Sequence, residues 1–202
     1  MGGTPKVWRL WEERPIWWWS LMALRPSVAA AVLVVSPDRV ADAQAWVASE
    51  GVLVVAGGSS RDASVALGLA RVATPYVAVH DGARPLASSA LLERVWRAAL
   101  EAGAAVPGLS PTDTVKVVHR GRVARTLPRQ HLVAVQTPQI FRTEWLRCAL
   151  GPGGRGVTDD SAAVEARGHD VLVVEGDALN KKLTVEADWL WLAAAWPGRA
   201  RP

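Results

Sequence analysis

Tyr76-Val77-Ala78-Val79-His80-Asp81-Gly82-Ala83-Arg84-Pro85 is an apolar run that stops at a carboxylate, two tiny residues and an arginine. A parallel strand covered on both faces is near-continuously apolar, and ligands of open α/β sheets bind just beyond the carboxyl ends of such strands. The stretch therefore predicts a buried strand that delivers Asp81 and Arg84 to a site. An aspartate there can hold a divalent cation, small neighbours let a phosphate approach the backbone, and an arginine can fork onto phosphate oxygens. Taken alone, the segment also fits a plain turn of Asp, Gly and Pro after any strand.

Working outward, apolar runs alternate with amphipathic stretches: 28–35 then 37–48, 52–56 then 61–72, and 76–80 then 88–102. This alternation is the βαβ signature of a parallel sheet with helical crossovers. Further apolar runs at 104–109, 132–136 and 171–174, with helices predicted over 143–150 and 185–196, complete one α/β domain spanning 1–202. Between Asp113 and Arg129 the pattern changes. Strand-like pieces at 114–118 and 123–126 flank His119-Arg120-Gly121-Arg122, predicting a hairpin arm within 110–131 that projects from the sheet. An isolated hairpin is marginal in water, so a second copy of the chain is one candidate partner and a plain surface excursion the alternative.

With 202 residues, half of them hydrophobic, the chain can bury a full core. Its formal charge is +4, and 19 of its 23 basic residues are arginines scattered along the chain. That distribution favours small phosphorylated ligands over a nucleic-acid track. The single cysteine, Cys148, excludes an internal disulfide, fits a reducing compartment and reads as a small buried hydrophobe. No stretch approaches ~18 consecutive apolar residues and the start has no signal-peptide pattern, so a cytoplasmic protein off the membrane is expected. Among 11 tryptophans, Trp17, Trp18 and Trp19 are consecutive. On a helix they span about 200° of circumference, which forbids one shared core.

Chemistry-bearing pieces recur at the predicted strand ends. Gly57-Gly58-Ser59-Ser60-Arg61 with Ser64 opens a helix, whose free N–H groups can face a base or phosphate. Its glycines do not match the spacing of a dinucleotide fingerprint, which argues against a dehydrogenase. Asp113-Thr114 and Arg129 bracket the arm, and Gln136-Thr137-Pro138-Gln139 ends another strand. In Thr158-Asp159-Asp160-Ser161, Thr158 or Asp159 reads equally as a helix N-cap. Asn180-Lys181-Lys182-Leu183-Thr184 precedes the final helix.

In this order the pieces resemble the 2-C-methyl-D-erythritol 4-phosphate cytidylyltransferase family, which joins CTP to methylerythritol phosphate in the non-mevalonate isoprenoid route. The most specific parts are Val-His-Asp-Gly-Ala-Arg-Pro at 79–85 and Gln-Thr-Pro-Gln at 136–139. The resemblance implies a nucleotidyltransferase (Rossmann-like) sheet, doubly wound and mostly parallel, with a projecting β-arm that crosses a dimer interface. It assigns Lys6 and Lys182 to the triphosphate and reacting phosphates, and Gly58, Ser59, Ser64 and Gly82 to the cytidine. Asp81 is assigned to Mg²⁺ and the substrate hydroxyls. Arg84, Thr137 and Thr158 are assigned to methylerythritol phosphate, with Thr114 and Arg129 completing the neighbouring subunit's site. A cytidylyltransferase for another polyol phosphate, such as ribitol 5-phosphate, and an inactive remnant are the competing readings.

One departure stands out. The family opens with a strand and a Gly-rich, Arg-bearing loop ahead of the Pro-Lys that is here Pro5-Lys6, whereas this chain starts at Met1-Gly2-Gly3. The resemblance thus predicts a sheet without its first strand and neighbours with unpaired edges. It also suggests that Met1 is an internal methionine and that the Trp-rich opening packs against the segment not present.

Overall fold

The computed structural model describes residues 5–151 and 159–196. It begins with a small β-ribbon, β1 (Leu10–Trp11) and β2 (Arg14–Pro15), followed by α1 (Ile16–Leu24). Next come β3 (Ala31–Val35), α2 (Val40–Trp46), β4 (Val52–Ala56), α3 (Arg61–Leu69), β5 (Tyr76–Val79), α4 (Ser89–Ala102) and β6 (Ala104–Leu109). The arm is β7 (Lys116–His119) and β8 (Arg122–Thr126). The chain closes with β9 (Ala134–Val135), β10 (Gln139–Arg142), α5 (Thr143–Leu150), α6 (Asp160–Glu165), β11 (Leu172–Glu175) and α7 (Ala187–Ala195).

The main sheet runs β11-β6-β10-β5, with the short β9 beside β6, while β3 and β4 form a separate parallel pair. β6 is parallel to β11, and β10 is antiparallel to both β5 and β6. Strands β5, β6 and β11 therefore share one direction, and β10 and the short β9 run against them. Among the described residues β3 pairs only with β4 and β5 only with β10, so each has one edge without a ladder partner. This corrects the reading of 76–80 as a strand buried on both faces. No residue of β5 is fully buried and Ala78 is exposed, because a ladder neighbour is lacking on one side.

Two helices join the two groups of strands. From α3, Val65 and Leu69 pack with Val77 and Val79 of β5, Ala104 and Val106 of β6 and Phe141 of β10. The same helix meets β3 through Gly68, where a Cβ would lie 2.7 Å from the Val34 side chain. From α1, Trp17 packs with Leu33, Val35 and Val54, while Leu24 joins Leu91, Val95, Ala105 and Ile140. Apolar burial, not strand pairing, connects the halves.

Helix α4 shows why its sequence folds locally. The Ser88 hydroxyl accepts from the Leu91 amide, Leu91, Leu92, Val95 and Ala99 form its buried stripe, and Gly103 ends it at φ 87°. The three indoles of α1 divide as geometry requires: Trp17 and Trp19 are buried and Trp18 only partly so. Trp19 meets Trp196 edge-on at 4.9 Å and donates its indole N–H to the Trp11 carbonyl at 2.8 Å. Cys148 corrects another expectation, for it is exposed. The buried residues of α5 are Thr143, Leu146 and Ala149, which leave Cys148 on the outer face.

The arm is a two-stranded ribbon paired with neither sheet half, turning at Arg120 and Gly121 with φ values of 48° and 75°. Its Val118 and Val123 are 58% and 62% exposed.

Candidate active site

Four segments converge beyond the strand ends: 57–64 after β4, 80–84 after β5, 136–139 between β9 and β10, and 177–184 after β11. At their centre the Asp81 Oδ2 accepts from Arg84 Nε at 3.2 Å and lies 3.1 Å from Lys182 Nζ. Its Oδ1 makes no hydrogen bond among the described residues. Burial pushes the Asp81 carboxyl upward in pKa, but the charge and hydrogen bond of Lys182, with the charges of Arg84 and Arg61, outweigh it. The net shift is downward, so Asp81 stays ionised.

Arg84 is buried and spends its fork inside the site: Nε on Asp81 and Nη1 on the Asn180 carbonyl at 2.8 Å, with Nη2 uncommitted. Lys182 is half exposed and can meet an anion. Its segment is held by Asn180, fully buried, whose Nδ2 donates to the Thr137 carbonyl at 2.7 Å. Gln136 also ties the two loops, donating to the Asp177 and Asn180 carbonyls and accepting from the Asp177 amide.

Thr137 lies in the centre but is already occupied. Its Oγ1 accepts from the Asp81 amide at 3.0 Å and sits 3.0 Å from His80 Nδ1, and the residue is 4% exposed. Gly82 is pressed by α1: the Ser20 hydroxyl donates to its carbonyl, and an added Cβ would lie 3.2 Å from the Trp17 Cβ. In the 57–64 loop, the Gly58 amide donates to Ser64 Oγ, which donates to the Ser60 carbonyl, while Ser59 stays exposed. The Ser60 hydroxyl caps α3 by accepting from the Ala63 amide.

The other residues singled out from the sequence lie apart. Lys6 is exposed in a 3-10 turn near Glu186, whose carboxyl is lowered by the Arg9 hydrogen bond and charge and least by the charge of Lys6. Thr114 and Arg129 are exposed at the base of the arm, with Arg129 bonded to the Thr112 carbonyl. Thr158 falls outside the described residues. Asp159 is the α6 N-cap, accepting from the Ala162 amide at 3.0 Å.

Sequence reasoning missed one strut. Arg61 grips the fully buried Asp160 with both amino groups, at 3.0 and 2.6 Å, joining the start of α3 to the start of α6. Both residues stood inside quoted motifs, but nothing in their spacing pairs residues 99 positions apart.

Burial drives the His80 imidazole down to about 4, and the Arg84 carbonyl hydrogen bond only partly offsets this. The folded chain therefore excludes a proton that the unfolded chain takes up. The stability this contributes is complete above the unfolded pKa, about 6.5, and is lost as pH falls toward 4, by at most ~3 kcal/mol. Urea unfolding at pH 7 and 4.5 should show a larger acid loss for the parent than for His80→Gln; equal losses would contradict the assignment.

Comparisons with known proteins identify the family. The family model described as 2-C-methyl-D-erythritol 4-phosphate cytidylyltransferase matches residues 1–196. A protein of that name from Acidobacterium capsulatum is 41% identical over 183 residues, covering 84% of this chain and 76% of its own length. One from Salinibacter ruber is 36% identical, covering 98% of this chain and 87% of its own. The crystal structure of the cytidylyltransferase from Thermus thermophilus superposes with a TM-score of 0.83 at 34% identity, over 94% of this chain and 93% of that one. The chain belongs to the 2-C-methyl-D-erythritol 4-phosphate cytidylyltransferase family.

Proposed function

We propose that the chain transfers the cytidylyl group of CTP to 2-C-methyl-D-erythritol 4-phosphate in isoprenoid biosynthesis, as a cytoplasmic enzyme. The observation that carries this is the Asp81–Arg84–Lys182 cluster at the strand ends of a family member. An oxygen of the acceptor phosphate attacks the α-phosphorus of CTP, the bond to the bridging oxygen of the β-phosphate breaks, and pyrophosphate leaves with that electron pair. The reaction needs no side-chain nucleophile, so positioning and cationic stabilisation dominate.

In this reading Lys182, with Lys6, neutralises the triphosphate as charge moves onto the leaving group. The 57–64 loop, through Gly58, Ser59 and Ser64, and the Gly82 turn border the cytidine. Arg84, Thr137 and Thr158 would hold the acceptor. The donor set also suits Mg²⁺. Among the described residues Asp81 Oδ1 accepts no hydrogen bond, an open carboxylate oxygen of the kind Mg²⁺ takes beside the phosphates of a substrate. Bound there, Mg²⁺ would neutralise phosphate charge.

The arm would complete the neighbouring site in a homodimer, its exposed Val118 and Val123 supplying apolar contact. Arg129→Ala should then raise KM for methylerythritol phosphate about tenfold or more with CTP affinity changed less than threefold, because a fork on the acceptor phosphate is lost. An equal loss of CTP affinity would remove Arg129 from the acceptor. Turnover of methylerythritol phosphate and ribitol 5-phosphate side by side tests the substrate, and a preference for ribitol 5-phosphate would replace the acceptor named here.

A further inference from the structure

His80 precedes Asp81 but faces away from any ligand role, since both ring nitrogens are engaged within the site. Nε2 lies 3.4 Å from the Arg84 carbonyl and Nδ1 lies 3.0 Å from Thr137 Oγ1. With the proton on Nε2, where the Arg84 carbonyl can accept it, Nδ1 is bare. The Thr137 hydroxyl must then donate its one proton to Nδ1, which leaves its oxygen to accept the Asp81 amide at 3.0 Å. The chain of bonds runs from the Asp81 amide through Thr137 and His80 to the Arg84 carbonyl. It closes a ring with the Arg84 amide, which donates to the Asp81 carbonyl at 3.1 Å.

We propose that His80 is a positioning residue: through Thr137 it fixes the Asp81 peptide, and so aims the Asp81 carboxylate at Lys182 and Arg84. The imidazole acts as a two-ended spacer, with an acceptor at Nδ1 and a donor at Nε2. The β5 edge beside it has no ladder neighbour among the described residues, so sheet pairing does not hold the turn on that side. The proposal rests on the cytidylyl-transfer reading for its consequence in catalysis, but not for its geometry.

The test compares His80→Phe, His80→Asn, Thr137→Val and His80→Phe/Thr137→Val. Phenylalanine keeps the ring without its nitrogens. Asparagine restores an acceptor at the Nδ1 position. His80→Phe should lower kcat about 10- to 100-fold, the scale of a small misplacement at a reacting centre, with CTP dissociation constant changed less than threefold. His80→Asn should recover most of that loss. The double variant should be no slower than the slower single one, as expected for groups acting in series.

Amide hydrogen exchange supplies a readout independent of activity: the Asp81 amide should exchange at least about tenfold faster in His80→Phe and Thr137→Val than in the parent. Unchanged exchange, no recovery by asparagine, or additive losses in the double variant would overturn the proposal, even if melting temperatures fell. A parent chain without CTP-dependent turnover would overturn the functional reading instead, and the exchange result would still decide the role of His80.

Discussion

Asp81→Asn should lower kcat by about 100-fold or more and, in the Mg²⁺-dependent reaction proposed above, raise the Mg²⁺ concentration needed for half-maximal turnover. The substitution is nearly isosteric, so the fold is not what it tests. The carboxylate oxygen Oδ2 serves two cations at once, Arg84 Nε at 3.2 Å and Lys182 Nζ at 3.1 Å. An amide oxygen in the place of Oδ2 can still accept from both, but it carries no net charge to hold two cations, and its NH₂ replaces the free Oδ1 with a donor. The substitution also removes a carboxylate that, among the described residues, touches this cation cluster and keeps one oxygen free of hydrogen bonds. Loss of one preorganised charge at a centre of this kind costs about 10²–10³-fold. Steady-state kinetics across a Mg²⁺ titration checks it, and a kcat within threefold of the parent would remove Asp81 from the reaction.

The second large effect is on stability. Arg61→Met should cost about 3 kcal/mol, because it strands the Asp160 carboxylate, which is fully inaccessible, without its bidentate partner. Asp160→Asn should cost less, since the Arg61 side chain is 40% exposed and its charge can turn to water. The double variant should therefore cost less than the sum of the two singles. Urea unfolding of the four proteins measures this, with additive losses, or the larger cost at Asp160, contradicting it. Because Arg61 also begins the helix after the 57–60 loop, Arg61→Met should weaken CTP binding as well as the fold.

Much of this was legible in the chain because local rules dominate where an element is periodic or capped. The runs at 52–56 and 104–109 form β4 and β6 with those bounds, and α4 follows its serine cap, apolar stripe and terminal glycine. The hairpin was visible because Arg120-Gly121 suits a turn needing positive φ twice in succession. Less legible was β10: Pro138 closes the stretch after the run at 132–136, and the strand that follows, reversed between β5 and β6, leaves no signal of its direction. The run at 132–136 gives only the two-residue β9, as burial comes from neighbours that the sequence does not name.

The same limit applies to the site. Asp81, Arg84 and Lys182 announced themselves by chemistry, and the structure brings them within hydrogen-bonding distance. The framework that holds them did not. Asn180 and Gln136 read as ordinary loop polars, yet they tie residues more than 40 positions apart. Thr137 read as a ligand group, and its bonds to the Asp81 amide and His80 left no trace in the sequence. Hydrogen-bond saturation depends on the three-dimensional neighbourhood, and motif spacing carries no record of it.

The most direct test follows phosphorus by ³¹P NMR in a mixture of CTP, Mg²⁺, methylerythritol phosphate and the chain. The account predicts acceptor-dependent loss of the three CTP resonances, with one pyrophosphate and one new diphosphate diester formed for each CTP consumed. Orthophosphate in place of pyrophosphate, or an unchanged spectrum from folded protein, would contradict it.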